Sequence, residues 1–170
     1  FNTLAIWCSN EKCDAIYPQS ADFTFYGGLY RGAHLICVPE THFELLHYGD
    51  LGIHAATEPA SWDKEDFMLH IRTKICGVEK DNQVIYQIFD EDGKEVASAA
   101  RPADSPDTSI PLYKPHRWDI KNSYQYTLKA LIMRNNECLD EVELKFGVRT
   151  FCCDPGRGFL MNGNCVPLRG

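Results

Sequence analysis

Side chains able to do chemistry come in a few short runs. Two are acidic: Asp90-Glu91-Asp92, and Asp140-Glu141 followed by Glu143. Two carboxylates flanking a bond at about 5 to 9.5 Å can serve as acid and as nucleophile or base. The first run stands just before Gly93, where solvated carboxylates commonly close a hairpin turn. The second lies in an alternating stretch, which puts its acids on the wet face of a strand. Asp22 precedes an aromatic segment and the turn Gly27-Gly28-Leu29-Tyr30-Arg31. Taken alone, it reads as a loop aspartate making an Asx-turn.

Metal and nucleophile chemistry find less support. His42-x4-His47 does not stack on one face of a strand, and no third ligand accompanies it. The eight cysteines contain no Cys-x2-Cys pair; Cys8-x4-Cys13 stands alone and Cys152-Cys153 are adjacent. Their fraction is too low for a disulfide scaffold, and they miss the antibody pattern of a bridge packed on a tryptophan. Free thiols used as small core residues are the expectation. No Ser-His-Asp order, phosphate-cradling glycine loop or nucleotide motif occurs. Tyr26, Tyr30, Trp62 and Trp118 could stack on sugar rings, though Trp118 reads as core and Trp62 sits at the turn Pro59-Ala60-Ser61.

The formal net charge of −7 argues against a nucleic-acid surface, which needs a basic stripe. Lysines and arginines are scattered singly, and no stretch approaches the roughly 18 apolar residues of a membrane helix. The expected partners thus include neither nucleic acid nor membrane. A hydrophobic content of 44% is ordinary for a globular protein, and 170 residues hold one good core or one domain with pieces of a neighbour.

The elements that must position these residues are strands. Ile53 to Thr57, Phe67 to Ile75, Val84 to Asp90, Lys94 to Ala100, Ser109 to Tyr113, Tyr124 to Met133 and Glu137 to Phe146 alternate and are spaced by turn signals. Seven short strands at such spacing predict an all-β, immunoglobulin-like sandwich over 53–150. Tyr124 and Tyr126 open the sixth strand, where a tyrosine corner is expected. Val142, Leu144 and Phe146 should point inward beside Leu128, Ala130 and Ile132, with Glu141 and Glu143 outward. Upstream, Leu4 to Cys8 and Leu29 to Val38 read as strands, and 39–52, punctuated by Pro39, Gly49 and Gly52, as a linker. Downstream, Asn162-Gly163 marks a terminal hairpin.

The string Phe146-Gly147-Val148-Arg149-Thr150, then Gly158-Phe159-Leu160-x-Asn162-Gly163 and Leu168-Arg169-Gly170, resembles the family 2 glycoside hydrolases of β-galactosidase type. Trp118 followed by Tyr124-x-Tyr126-Thr127-Leu128 fits the strand before it. Asn2-Thr3-Leu4-Ala5-Ile6 and Asp22-x6-Leu29-Tyr30-Arg31 are similar to the end of that family's sugar-binding jelly roll. Ser123 stands where proline is usual, and Cys152, Cys153 and Cys165 are atypical.

The resemblance implies four parts: 1–38, partial jelly-roll strands; 39–52, a linker; 53–150, the immunoglobulin-like sandwich as structural spacer; and 151–170, leading into a catalytic (β/α)8 barrel. The catalytic glutamates would lie beyond Gly170, so the chain itself is expected to have no catalytic residue and no activity. Asp22 would bind a galactose hydroxyl and, in some members, a sodium ion, since a carboxylate is both a hydrogen-bond acceptor and a hard oxygen ligand. No cofactor is expected in this chain; sodium and magnesium would belong to a full-length parent. Its implied partners are the remaining jelly-roll and barrel domains and a β-galactoside, in the cytoplasm of a bacterial parent. Unpaired edges in 1–38 further suggest a homodimer through that segment. The alternative reading is a stand-alone carbohydrate-binding or adhesion module of sandwich type.

Overall fold

The computed structural model describes residues 3–11, 13, 15, 26–46, 49–60 and 65–168. The chain divides into two units, Phe1–Cys37 and Val38–Gly170. The second holds twelve strands among the described residues: β1 His42–Phe43, β2 Ile53–Pro59, β3 Phe67–Thr73, β4 Ile75–Cys76, β5 Gln83–Phe89, β6 Glu95–Pro102, β7 Thr108–Leu112, β8 Tyr126–Arg134, β9 Glu137–Phe146, β10 Phe151–Asp154, β11 Gly158–Met161 and β12 Asn164–Cys165. No helix occurs among the described residues.

Two antiparallel sheets, ordered β2-β3-β7 and β6-β5-β8-β9, make the sandwich. Alternation dictates the core between them. Phe67, Leu69 and Ile71 of β3 are buried, as are Val84, Tyr86 and Ile88 of β5 and Leu128, Ala130 and Ile132 of β8. The register expected for β9 holds: Phe146, Leu144 and Val142 lie opposite Tyr126, Leu128 and Ala130, while Glu141 and Glu143 are exposed. On that outer face Lys129 Nζ lies 3.0 Å from Glu141 and 3.9 Å from Glu143. The β8–β9 turn needs two left-handed residues, and Asn135 (φ 49°) and Asn136 (φ 65°) supply them.

Asp140 departs from the expected wet face. The register shifts between Ile132 and Met133, so that Leu139 is the extra residue of a bulge and packs on the core. Asp140 itself belongs to the unshifted register and shares the inward parity of Val142, Leu144 and Phe146. It pairs across with Ile132, and its Oδ2 accepts the Phe43 N–H at 2.9 Å. The segment 39–52 also differs from a plain linker. Its β1 pairs with β4, Phe43 is 2% exposed in the core, and Thr41 Oγ1 donates to the Gly77 carbonyl at 2.6 Å. Gly77 (φ 64°) permits this approach, because a Cβ there would collide with the Glu40 carbonyl.

In the unit Phe1–Cys37, the strands expected at Leu4 to Cys8 and within Leu29 to Val38 are absent: residues 3–10 and 29–38 form no ladder. Leu4, Ile6, Trp7, Leu35 and Ile36 are exposed. A strand is held by a neighbour's N–H and C=O groups and by burial of one face, and these segments have neither. The cysteines also depart from expectation. All eight are free thiols, but Cys76 is half-buried and the other seven are exposed, so none fills the core.

Candidate functional site

The residues that carry the family resemblance meet where β9 leaves the sandwich. Arg117 and Val148 form a parallel bridge, and Trp118 N–H donates to the Val148 carbonyl at 2.9 Å. Val148 is fully buried. The Arg149 guanidinium lies 4.8 Å from the centroid of the half-buried Trp118 ring, a cation–π contact. Gly147 is required beneath it: a Cβ there would come 2.9 Å from Trp118 Cβ. Asn162, left-handed at φ 50°, then ties the terminal sheet β10-β11-β12 to the junction. Its N–H donates to the Thr150 carbonyl (2.8 Å), its Oδ1 accepts from Thr150 N–H (3.0 Å), and its Nδ2 donates to the Trp118 carbonyl (2.9 Å). The Asn162-Gly163 hairpin turn stands as expected, with Met161 paired to Asn164. The tyrosine corner falls to Tyr126, whose hydroxyl accepts the His116 N–H at 2.9 Å and whose ring stacks on Phe146. Burial pushes its phenol pKa up, against the pull of that hydrogen bond.

The carboxylates here are occupied with backbone. Asp90 Oδ1 accepts from Asp92 and Lys94 N–H, Asp107 Oδ1 from Thr73 N–H, and Asp154 Oδ1 from Gly156 and Arg157 N–H. Asp119 lines a cleft of about 480 Å3 beside the junction, with Arg117, Lys121, Asn162 and Cys165. The N–H groups of Asn122 and Lys121 hold its pKa below the usual range, the reverse of what a general acid needs. Such arrangements fix turns and strand ends. They do not place an acid and a nucleophile across a bond.

The sequence profile of glycosyl hydrolases family 2 matches residues 56–149, from within β2 to Arg149. The chain belongs to this family. An FMN-binding β-glucuronidase from Facaelibacterium prausnitzii L2-6 is similar in structure, with 42% identity and a TM-score of 0.88 over 95% of this chain and 25% of that one. A β-glucuronidase of Bacteroides fragilis is 27% identical over 99% of this chain and 25% of its own length. A β-galactosidase of Bacteroides ovatus is 29% identical over 74% of this chain and 16% of its own. The chain thus spans a quarter or less of these relatives.

As a family 2 sandwich, the chain carries one polar constellation that sequence reasoning missed. Ser109 Oγ lies 2.8 Å from His70 Nδ1, and His70 Nε2 lies 2.8 Å from Glu58 Oε1, across β7, β3 and β2. The order resembles a hydrolytic triad, but the setting rules that use out. The three project from the outer face of a sheet, where backbone N–H groups run in the sheet plane to neighbouring strands. Those of the edge strands β2 and β7 that have no ladder partner point outward in that same plane, so the N–H groups do not converge over the serine as an oxyanion hole requires. Alternation alone could have placed each residue outward; only the strand register brings them together. Asp22 and Trp62, named from sequence, lie outside the described residues, as does His47. Among the described residues no three His, Cys, Asp or Glu side chains gather as a metal site.

Proposed function

We propose that this chain is a non-catalytic portion of a family 2 glycosidase acting on β-glucuronides, with the sandwich as a structural spacer. The observation that carries the substrate class is the 42% identity to a β-glucuronidase over 95% of the chain. The sequence resemblance alone pointed to β-galactosides. That remains a second reading, supported by the Bacteroides ovatus relative. The spacer role rests on how the junction is made: Trp118, Gly147, Arg149 and Asn162 are spent on fixing the angle at which the chain leaves β9. Asp22 stays in the proposal as a substrate-hydroxyl and sodium ligand contributed to a site completed by other domains.

The test compares p-nitrophenyl β-D-glucuronide with the β-D-galactoside. A protein extending this chain with a catalytic domain should cleave the glucuronide faster, and the 170-residue chain should cleave neither. Preference for the galactoside would overturn the substrate assignment. Hydrolysis by the chain alone would overturn the spacer role.

A further inference from the structure

One end of the sandwich carries a further cleft, beside the tyrosine corner. It measures about 260 Å3 and is walled by Asp90, Pro111, Tyr113, Pro115, His116 and Tyr124. We propose that this cleft is a carbohydrate subsite that takes a single neutral pyranose ring, its apolar face on Tyr113 and its hydroxyls on Asp90.

The wall is built, and its construction is strained. Lys114 adopts φ 44°, a left-handed conformation that a long side chain holds only where its surroundings enforce it. Asp66 Oδ1 holds the backbone there by accepting the Lys114 N–H at 3.0 Å, and the exposed Glu65 pairs with the ammonium at 3.0 Å. The result projects Tyr113 outward, 78% exposed, at the lip of the cleft. Opposite, the Tyr126 hydroxyl pins the His116 backbone, and the His116 ring lies 4.7 Å from Tyr124. Pro111 and Pro115 fix the chain on either side of the turn. An aromatic wall held in this way is ready before a ligand arrives, which lowers the entropic cost of binding.

The chemistry of the cleft selects the ligand. Polar and apolar surface line the cleft in nearly equal parts, which matches the two faces of a pyranose, and the volume suits one ring. Asp90 Oδ1 is engaged by the N–H groups of Asp92 (3.1 Å) and Lys94 (2.8 Å), which orients the carboxylate and leaves Oδ2 to accept from hydroxyls. Glu91 stands beside it, its Oε1 accepting the Gln125 N–H. Asp90 is the carboxylate lining the cleft, and Lys114, the cation on its wall, is paired with Glu65, so the ring proposed is neutral. In the proposed glycosidase such a ring belongs to the remainder of the glycan rather than to the glucuronic acid. The inference rests on that reading for the source of the sugar only.

The test is an NMR titration of the chain with methyl β-D-glucopyranoside and methyl β-D-galactopyranoside, with D-glucuronate and a proline-rich peptide in parallel. Binding in the millimolar range is expected, with shifts centred on Tyr113, His116 and Tyr124. Tyr113→Ala should weaken it roughly five- to tenfold without moving the melting temperature. Asp90→Asn should weaken it as well. Silence up to about 50 mM of either glycoside would overturn the proposal. So would tighter binding of glucuronate, equal binding by Tyr113→Ala, or a response to the peptide alone. Failure of β-glucuronide hydrolysis by the longer protein would refute the proposed activity and leave this binding result standing.

Discussion

Replacing Tyr86 by phenylalanine removes one oxygen from the centre of the sandwich. Tyr86 has no exposed surface; its hydroxyl lies 2.6 Å from Thr73 Oγ1 and donates to the Pro106 carbonyl at 2.9 Å. Phenylalanine keeps the ring packing but removes a hydrogen-bond partner from both groups. At pH 7 this should cost about 1–3 kcal/mol. Alkaline pH supplies the sharper test. Burial raises the Tyr86 pKa to about 12, with the Thr73 hydrogen bond pulling it down and Asp107 adding to the rise. In the unfolded chain it titrates near 10. Between those values the unfolded state has lost the proton and the native state keeps it. The contribution is therefore complete below pH 10 and is lost as pH climbs through about 12, falling by about 1.4 kcal/mol per pH unit and by roughly 2.7 kcal/mol in all. Tyr86→Phe lacks this slope. Urea unfolding of both proteins at pH 7, 10, 11 and 12 should show the wild type ahead at neutral pH and the gap closing towards pH 12. A gap that stays constant across the series would refute the reasoning.

The junction is probed by Gly147→Ala, whose methyl must displace Trp118. A loss of about 1–3 kcal/mol is expected, read by thermal melting together with altered tryptophan fluorescence. Asp140→Ala strips the acceptor from Phe43 N–H; it should cost about 1–3 kcal/mol and raise hydrogen exchange at Phe43 before it does so at β8. Ser109→Ala and His70→Ala, in contrast, should each change stability by less than about 1 kcal/mol, and neither should alter reactivity towards p-nitrophenyl acetate. Pairing of residues 1–38 with a second copy should show as a dimer in analytical ultracentrifugation that dissociates when those residues are deleted; a monomer before deletion would count against it.

Alternation made the sandwich legible. Each of Phe67, Leu69, Ile71, Val84, Tyr86, Ile88, Leu128, Ala130 and Ile132 lies one residue from a neighbour facing the other way, so the core face follows from a period of two. Applied strictly, the same rule also turns Asp140 inward, two residues from Val142; a wet face shared with Glu141 and Glu143 sets the alternation aside. The bulge at Leu139 reverses the face only for the residues before it. Nothing in the local sequence marks that insertion. The short strand at His42–Phe43 was hidden for another reason: two residues carry no periodicity, and their partners lie at Ile75 and Cys76. The isolated hydrophobic runs at 4–8 and 29–38 show the opposite error. There strand-like composition lacks the neighbour that would make it a strand. For the junction, the motif residues could be read in order along the chain. Their meeting could not, since Asn162 reaches Trp118 across 44 positions.

Phe43 and Thr41 bear on how such a sandwich can pass from one protein to another. A recombination event that cut the chain at Ile53, where the regular pattern begins, would deliver a sheet missing a wedge of its core, with Asp140 facing a vacancy where the Phe43 amide had been. Removing a buried phenylalanine side chain alone costs about 3–5 kcal/mol, a large part of what a domain of this size has to spare. The smallest heritable cassette therefore begins before Thr41. What reads as a hyphen between two domains is the first syllable of the second.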